Sequence, residues 1–218
     1  MAYYSFEGRM PRVARGAFVH PEATLIGEVE VGEGCYIAAG ARLRGDWGRI
    51  VVGPGTNIQE NCVIHVKPDQ TVVIGPACHI AHGAILHGPV LGYHVVVGMG
   101  AIVMDEAVLG DECCIAAGAF VRARMHVPPG MLVMGSPGKV VGAVSEELRR
   151  HLLWATALYQ ALPASCHDSL RPVPADAVLC GGSAPCGSLE SLRLVSKRLM
   201  ETEDIILFGR EAEKKSRV

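Results

Sequence analysis

Residues 91–133 read LGYHVVVGMGAIVMDEAVLGDECCIAAGAFVRARMHVPPGMLV, with an aliphatic side chain at every sixth position: Leu91, Val97, Val103, Leu109, Ile115, Val121, Val127 and Val133. Four residues after these positions stand small side chains, Ala101, Ala107, Cys113 and Ala119. A period of six excludes an α-helix, whose apolar face repeats every three to four residues, and suits short strands joined by tight turns. Three hexads close one triangular coil, and the strands of successive coils hydrogen-bond to one another.

Working outward, the same period runs through Val13, Val19, Leu25, Val31, Ile37 and Leu43, through Val52, Ile58 and Ile64, and through Ile74, Ile80 and Leu86. The small position recurs at Ala17, Ala23, Cys35, Ala41, Thr56, Cys62, Cys78 and Ala84. A prism over about residues 13 to 138 follows. Four of the eight cysteines fall in that small apolar slot, no Cys-x-x-Cys pair occurs, and those four read as buried and unreactive. The composition agrees, at 50% hydrophobic but only 5% aromatic, so the core is built from small aliphatic side chains.

From Ser145 the pattern turns helical. Ser145 is a candidate cap, Glu146 and Glu147 suit the positive end of the helix dipole, and Leu148, Leu152, Ala155, Tyr159 and Leu162 share a face. Pro163 is expected to end this helix, which must bury its face on the prism or on a neighbouring subunit. The expected organisation is a β-helix domain over 1–142, a packing helix over 143–163 and a tail over 164–218, with a final helix from Ser188 to Ile206.

The net charge of −2 and the lack of a basic stripe argue against nucleic acid as a partner. No apolar run is long enough to span a bilayer and the first thirteen residues are not a secretory signal, so a cytoplasmic protein is expected.

The chemistry is expected at three histidines. His65 follows Ile64 and His87 follows Leu86, so both occupy the same position of a hexad, and the 22 residues between them are one 18-residue coil plus four inserted. They should therefore stack one strand spacing apart, ~4.8 Å. His82 lies two positions after Ile80, one hexad before Leu86, and hence on the adjacent face. That is too far round the corner to join the pair within one prism, but a three-fold assembly would bring it to the pair of the next subunit, giving three imidazoles and an open fourth place, the pattern of a catalytic zinc. A lone histidine at a turn is ordinarily a surface hydrogen-bonding residue, and His20, His79, His94 and His126 are read that way. Gln59, one hexad before His65, is a candidate to orient a metal-bound water, while Arg44 and Asp46 form a pair that either serves the reaction or holds the oligomer. Two irregularities flank these residues: nine residues instead of six between Leu43 and Val52, and an insertion holding Lys67, Pro68, Asp69 and Gln70.

The stretches Leu43-Arg44-Gly45-Asp46, Asn57-Ile58-Gln59-Glu60-Asn61-Cys62 and His79-Ile80-Ala81-His82-Gly83-Ala84-Ile85-Leu86-His87-Gly88, with Met99, Met104-Asp105, Gly135-Ser136-Pro137 and the start Tyr3 to Gly8, resemble the γ-carbonic-anhydrase-like hexapeptide-repeat family. Within it they are most similar to the phenylacetate-degradation protein Y and carnitine-operon protein E branch. The resemblance covers roughly residues 1 to 172. It implies an all-β fold, a left-handed parallel β-helix in the form of a triangular prism with a C-terminal α-helix; strand physics alone would favour right-handed crossovers. It also implies a homotrimer with zinc or iron at the subunit interfaces, held by residues matching His65, His82 and His87 and supported by Arg44, Asp46 and Gln59. The activity it implies is metal-dependent hydrolysis, of an acyl-CoA thioester in the phenylacetate branch. Hydration of carbon dioxide, acyl transfer from coenzyme A and a non-catalytic accessory role are the alternatives. Trp47 and Lys67-Pro68-Asp69 stand where the best-known carbonic anhydrases have glutamates for proton transfer.

Overall fold

The computed structural model describes residues 2–174. It is a left-handed parallel β-helix of about seven coils followed by one α-helix. Its three faces can be followed in the strand pairing. One is built from Val63–His65, Ile85–His87, Ile102–Val103 and Phe120–Val121, another from Thr71–Ile74, Val90–Leu91, Val108–Leu109 and His126–Val127. The third runs from Phe18–Val19 through Tyr36–Ile37, Asn57–Ile58, His79–Ile80, Val96–Val97 and Cys114–Ile115 to Met131–Met134. Two longer strands, Thr24–Val31 and Arg42–Val52, turn the corner between the first two faces and join them into one sheet.

The hexad periodicity translates directly into the core. Leu25, Ile37, Ile58, Ile64, Ile74, Ile80 and Ile115 are completely enclosed, as are the small corner residues Ala23, Ala41, Ala84, Ala101 and Ala107. Cys35, Cys62, Cys78 and Cys113 fill the same corners, each with its thiol directed at a backbone carbonyl of the next coil. Burial pushes Cys35 and Cys62 up to about 11 and Cys78 to about 12, so these thiols are not nucleophiles.

The N-terminus adds a strand that the repeat does not announce: Ala2–Tyr4 pairs with Thr24, Leu25 and Ile26 at the base of the prism. At the other end Lys139–Ala143 folds back antiparallel on Met131–Met134. The helix then runs from Glu146 to Ser169, with the Ser145 side chain accepting from the Leu148 amide at 3.1 Å. It does not end at Pro163. That proline is buried on the same side as Thr156 and Tyr159, and packing on the prism outweighs the ~3 kcal/mol that a proline costs within a helix. The helix lies along the third face of its own chain, where Tyr159 meets Tyr36 and His79, and Gln160 Nε2 donates to the Gly55 carbonyl. No helix among the described residues is long and apolar enough to cross a membrane. The helix expected over Ser188 to Ile206, with Cys180 and Cys186, lies outside the described residues.

Candidate metal centre

The sheet register puts Arg44 beside His65 and His65 beside His87, so the expected stacking of the two histidines is present as a direct cross-strand pair. The column occupies the edge of the first face, where both sequence irregularities sit. These support one another: the Arg49 amide donates to the Gln70 carbonyl at 2.9 Å and the Asp69 amide to the Trp47 carbonyl at 3.2 Å. Gly48 allows the approach, since a Cβ there would lie 2.3 Å from the Gln70 carbonyl oxygen. The extra residues of one coil thus cradle those of the next, beside His65.

Each histidine of the pair is held by a carboxylate. Asp46 Oδ1 lies 3.2 Å from His65 Nε2, while Asp46 Oδ2 accepts from Arg44 at 2.7 Å. Asp105 Oδ1 lies 2.7 Å from His87 Nδ1, and Lys67 Nζ stands 3.2 Å from Asp105 Oδ2. Burial alone would raise both acids. For Asp46 the hydrogen bonds from Arg44, the Trp47 amide and His65 prevail, and for Asp105 those from His87 and Lys67, so both carboxyls are held below their usual range. Burial, reinforced by the Arg44 charge, lowers His65 despite Asp46.

Ionised carboxylates only accept, so His65 carries its proton on Nε2 and His87 on Nδ1. The remaining nitrogens, His65 Nδ1 and His87 Nε2, face each other at 3.2 Å with a lone pair each. Two acceptors in that arrangement are reconciled by one shared proton or by one shared metal ion. Two nitrogens on one tetrahedral zinc stand about 3.3 Å apart, given zinc–nitrogen distances of about 2.0–2.1 Å. The pair therefore fits a shared ion.

His82 is at a different corner, as its place in the hexad requires. Its Nδ1 lies 2.6 Å from Glu60 Oε2, which leaves the lone pair of the neutral ring on Nε2, on a side chain 43% exposed. Among the described residues no three His, Cys, Asp or Glu side chains of one chain are arranged to hold a metal.

Gln59 is not brought to the pair. One hexad is one face, so residue 59 directly follows the strand Asn57–Ile58 of the third face while His65 ends a strand of the first. Its amide is 1% exposed and committed, donating to Asn57 Oδ1 at 3.0 Å and lying 2.7 Å from His79 Nε2. His79, read from sequence as a surface residue, is instead part of this buried group, capped edge-on by Tyr159; burial lowers it to about 4, helped by His82 and His94. His94 is also buried.

Asp105 and Glu60 were not singled out as site residues by sequence reasoning. Asp105 follows His87 by 18 residues and Glu60 precedes His82 by 22, each one coil away in the register, and that spacing is the signal that would have found them.

No family model matches the chain. It is 46% identical over 171 residues to the carnitine operon protein CaiE of Escherichia coli K12, covering 78% of this chain and 87% of the relative. Among solved structures, a hexapeptide transferase family protein from Anaplasma phagocytophilum aligns with a TM-score of 0.72 at 38% identity, covering 75% of this chain and 97% of that one. A Bacillus cereus protein provisionally assigned as an acetyltransferase aligns with a TM-score of 0.75 at 28% identity, covering 77% and 97%. The fold and the histidine column define a hexapeptide-repeat protein of the γ-carbonic-anhydrase-like kind. More particularly, the chain belongs to that family in its carnitine-operon protein E branch.

Proposed function

We propose that the protein is a homotrimeric, metal-dependent hydrolase of acyl-CoA thioesters, with zinc or iron held between subunits by His65 and His87 of one chain and His82 of the partner subunit. The observation that carries this reading is the set of three histidines, each with one ring nitrogen on a carboxylate. His65 and His87 turn their other nitrogens toward each other at 3.2 Å, and His82 keeps its own free. A carboxylate behind each imidazole fixes the tautomer and raises the basicity of the coordinating nitrogen. The trimer is the habitual state of hexapeptide-repeat proteins, and the first face supports it with the outward apolar side chains Val63 and Ile85, 41% and 39% exposed.

A divalent ion in this place would supply Lewis acidity and a water of lowered pKa. The chain's own contribution is arrangement. Asp46 and Asp105 hold the two imidazoles, Lys67 offsets the charge of Asp105, and the partly exposed Arg44 steadies Asp46 while offering a guanidinium to an anionic substrate group. Hydrolysis places the water oxygen on the acyl carbon, breaks the carbon–sulfur bond and returns a proton to the departing thiolate. Gln59, committed to Asn57 and His79, takes no part in this scheme.

Thiol release from acetyl-CoA and longer acyl-CoA thioesters tests the reading. Wild type is expected to release thiol, and His87→Ala to lose at least ~100-fold in kcat/KM while keeping its oligomer mass. Undiminished hydrolysis by His87→Ala would overturn it. Acyl transfer is the second reading, favoured by the transferase names of the two aligned structures; thiol release that requires an added amine or alcohol acceptor would decide for it.

A further inference from the structure

The helix Glu146–Ser169 is fastened to its own prism at separate points. Arg149 pairs with Glu112 at 2.6 Å, Gln160 donates to the Gly55 carbonyl at 3.1 Å, and His167 Nε2 lies 3.3 Å from the Ala17 carbonyl. Gly55, Ala77, His94 and Glu112 form one column, the left-handed corner residues between the second and third faces on successive coils, each amide donating to a carbonyl of the coil below. This corner carries none of the candidate metal ligands. Between the Gly55 and Glu112 fastenings, His94 is 3% exposed, and its Nε2 is buried without a hydrogen-bond partner among the described residues. On the helix, between Arg149 and Gln160, Thr156 is equally buried and its hydroxyl is in the same condition. One coil below His94, the His79 ring is covered edge-on by Tyr159 at 5.0 Å. Each unpartnered buried atom weakens the docking, and a buried imidazole without a charge partner is tolerated only in its neutral form.

The charges around the two rings add to that demand. At His94 burial lowers the pKa and the Arg149 charge reinforces it, against the opposing pull of Glu112. At His79 burial is reinforced by His82 and His94, while Asn57 and Gln59 of the neighbouring coil and Tyr159 of the helix meet the ring as neutral groups. Glu60 acts on Tyr36 and Tyr159, holding both phenols neutral.

We infer that the helix is an acid-released latch: it docks over neutral His79 and His94, and their protonation lifts it from the third face while the prism stays folded. Lifting returns both rings to water and uncovers the face from which the strand His79–Ile80 leads into the turn carrying His82. Both rings take up a proton more readily when the helix is away, so docking is strongest above pH 6.5 and weakens as pH falls below it. The latch is independent of the reaction performed at the metal centre.

Peptide-resolved hydrogen exchange of the full chain at pH 7 and pH 5, corrected for the intrinsic pH dependence of exchange, tests this. Amides of the helix are expected to lose at least ~10-fold in protection at pH 5 while those of the strands Val96–Val97 and Cys114–Ile115 keep theirs. The variant His79→Gln with His94→Asn, which keeps polar side chains that take up no proton, should show no such loss, and His79→Gln alone should recover most of it. Helix and strands losing protection together, or a helix that loses none, overturns the latch on the wild-type chain alone. So does a loss that persists in the double variant, and one abolished by Glu112→Gln instead would place the acid response in the Arg149 pair.

Discussion

Asp46 and Asp105 determine which nitrogen of His65 and His87 is available, and this makes them the residues through which the site is tuned. Asp105→Asn keeps the shape but removes the charge, and is expected to weaken metal affinity by ~10–100-fold, read by competition with a chelator; unchanged affinity would show that the carboxylate does no more than pack. A second residue-scale expectation concerns His79. Its folded pKa of about 4 lies below the ordinary 6.5, so the folded state prefers the neutral ring. The stability this confers is present above pH 6.5 and is lost as pH falls from there through about 4. Chemical denaturation of wild type and His79→Gln across pH 4 to 7 should show a steeper decline in wild type; parallel profiles would contradict it. His65 and His87 were legible because the repeat gives each residue an address on the prism. The same addressing puts Gln59 a third of a turn around the axis from His65, on the face that carries His82.

At the scale of elements, the two irregular segments form one structure, each making sense only beside the other. Gly48→Ala would push a methyl into the Gln70 carbonyl oxygen and the Lys67 carbonyl, both main-chain atoms of the neighbouring coil. A cost of about 1–3 kcal/mol in stability is expected, with a larger proportional loss of metal binding because Trp47 and Lys67 flank the cradle. Normal metal content and denaturation midpoint in this variant would remove the cradle from the account. The departures from spacing are plain in the sequence, but that the extra residues of adjacent coils hydrogen-bond to each other depends on carbonyl directions that no spacing reveals. The helix teaches the converse. Its cap and apolar face are visible as residue types, whereas its continuation past Pro163 goes with tertiary burial, because the proline is one of the two buried residues of the helix.

For the whole molecule, the prism distributes stability along a single apolar column, so the loss of one interior side chain is felt locally and still costs heavily. Ile64→Ala, inside the strand that carries His65, is expected to destabilise by about 2–5 kcal/mol in denaturant unfolding; a change well under 1 kcal/mol would mean that the column is not close-packed. The histidine geometry sets a further demand, because His65 and His87 complete nothing without a third donor and His82 lies at another corner of the same chain. In the proposed metal centre that separation makes the chemistry depend on assembly. Elemental analysis of untagged protein, with oligomer mass, on wild type and His82→Ala tests this most directly. About one zinc or iron per chain in a wild-type trimer, and a metal-depleted trimer in the variant, is the result expected. A metal-free wild-type trimer, or full metal retained in His82→Ala, would contradict a site shared between subunits.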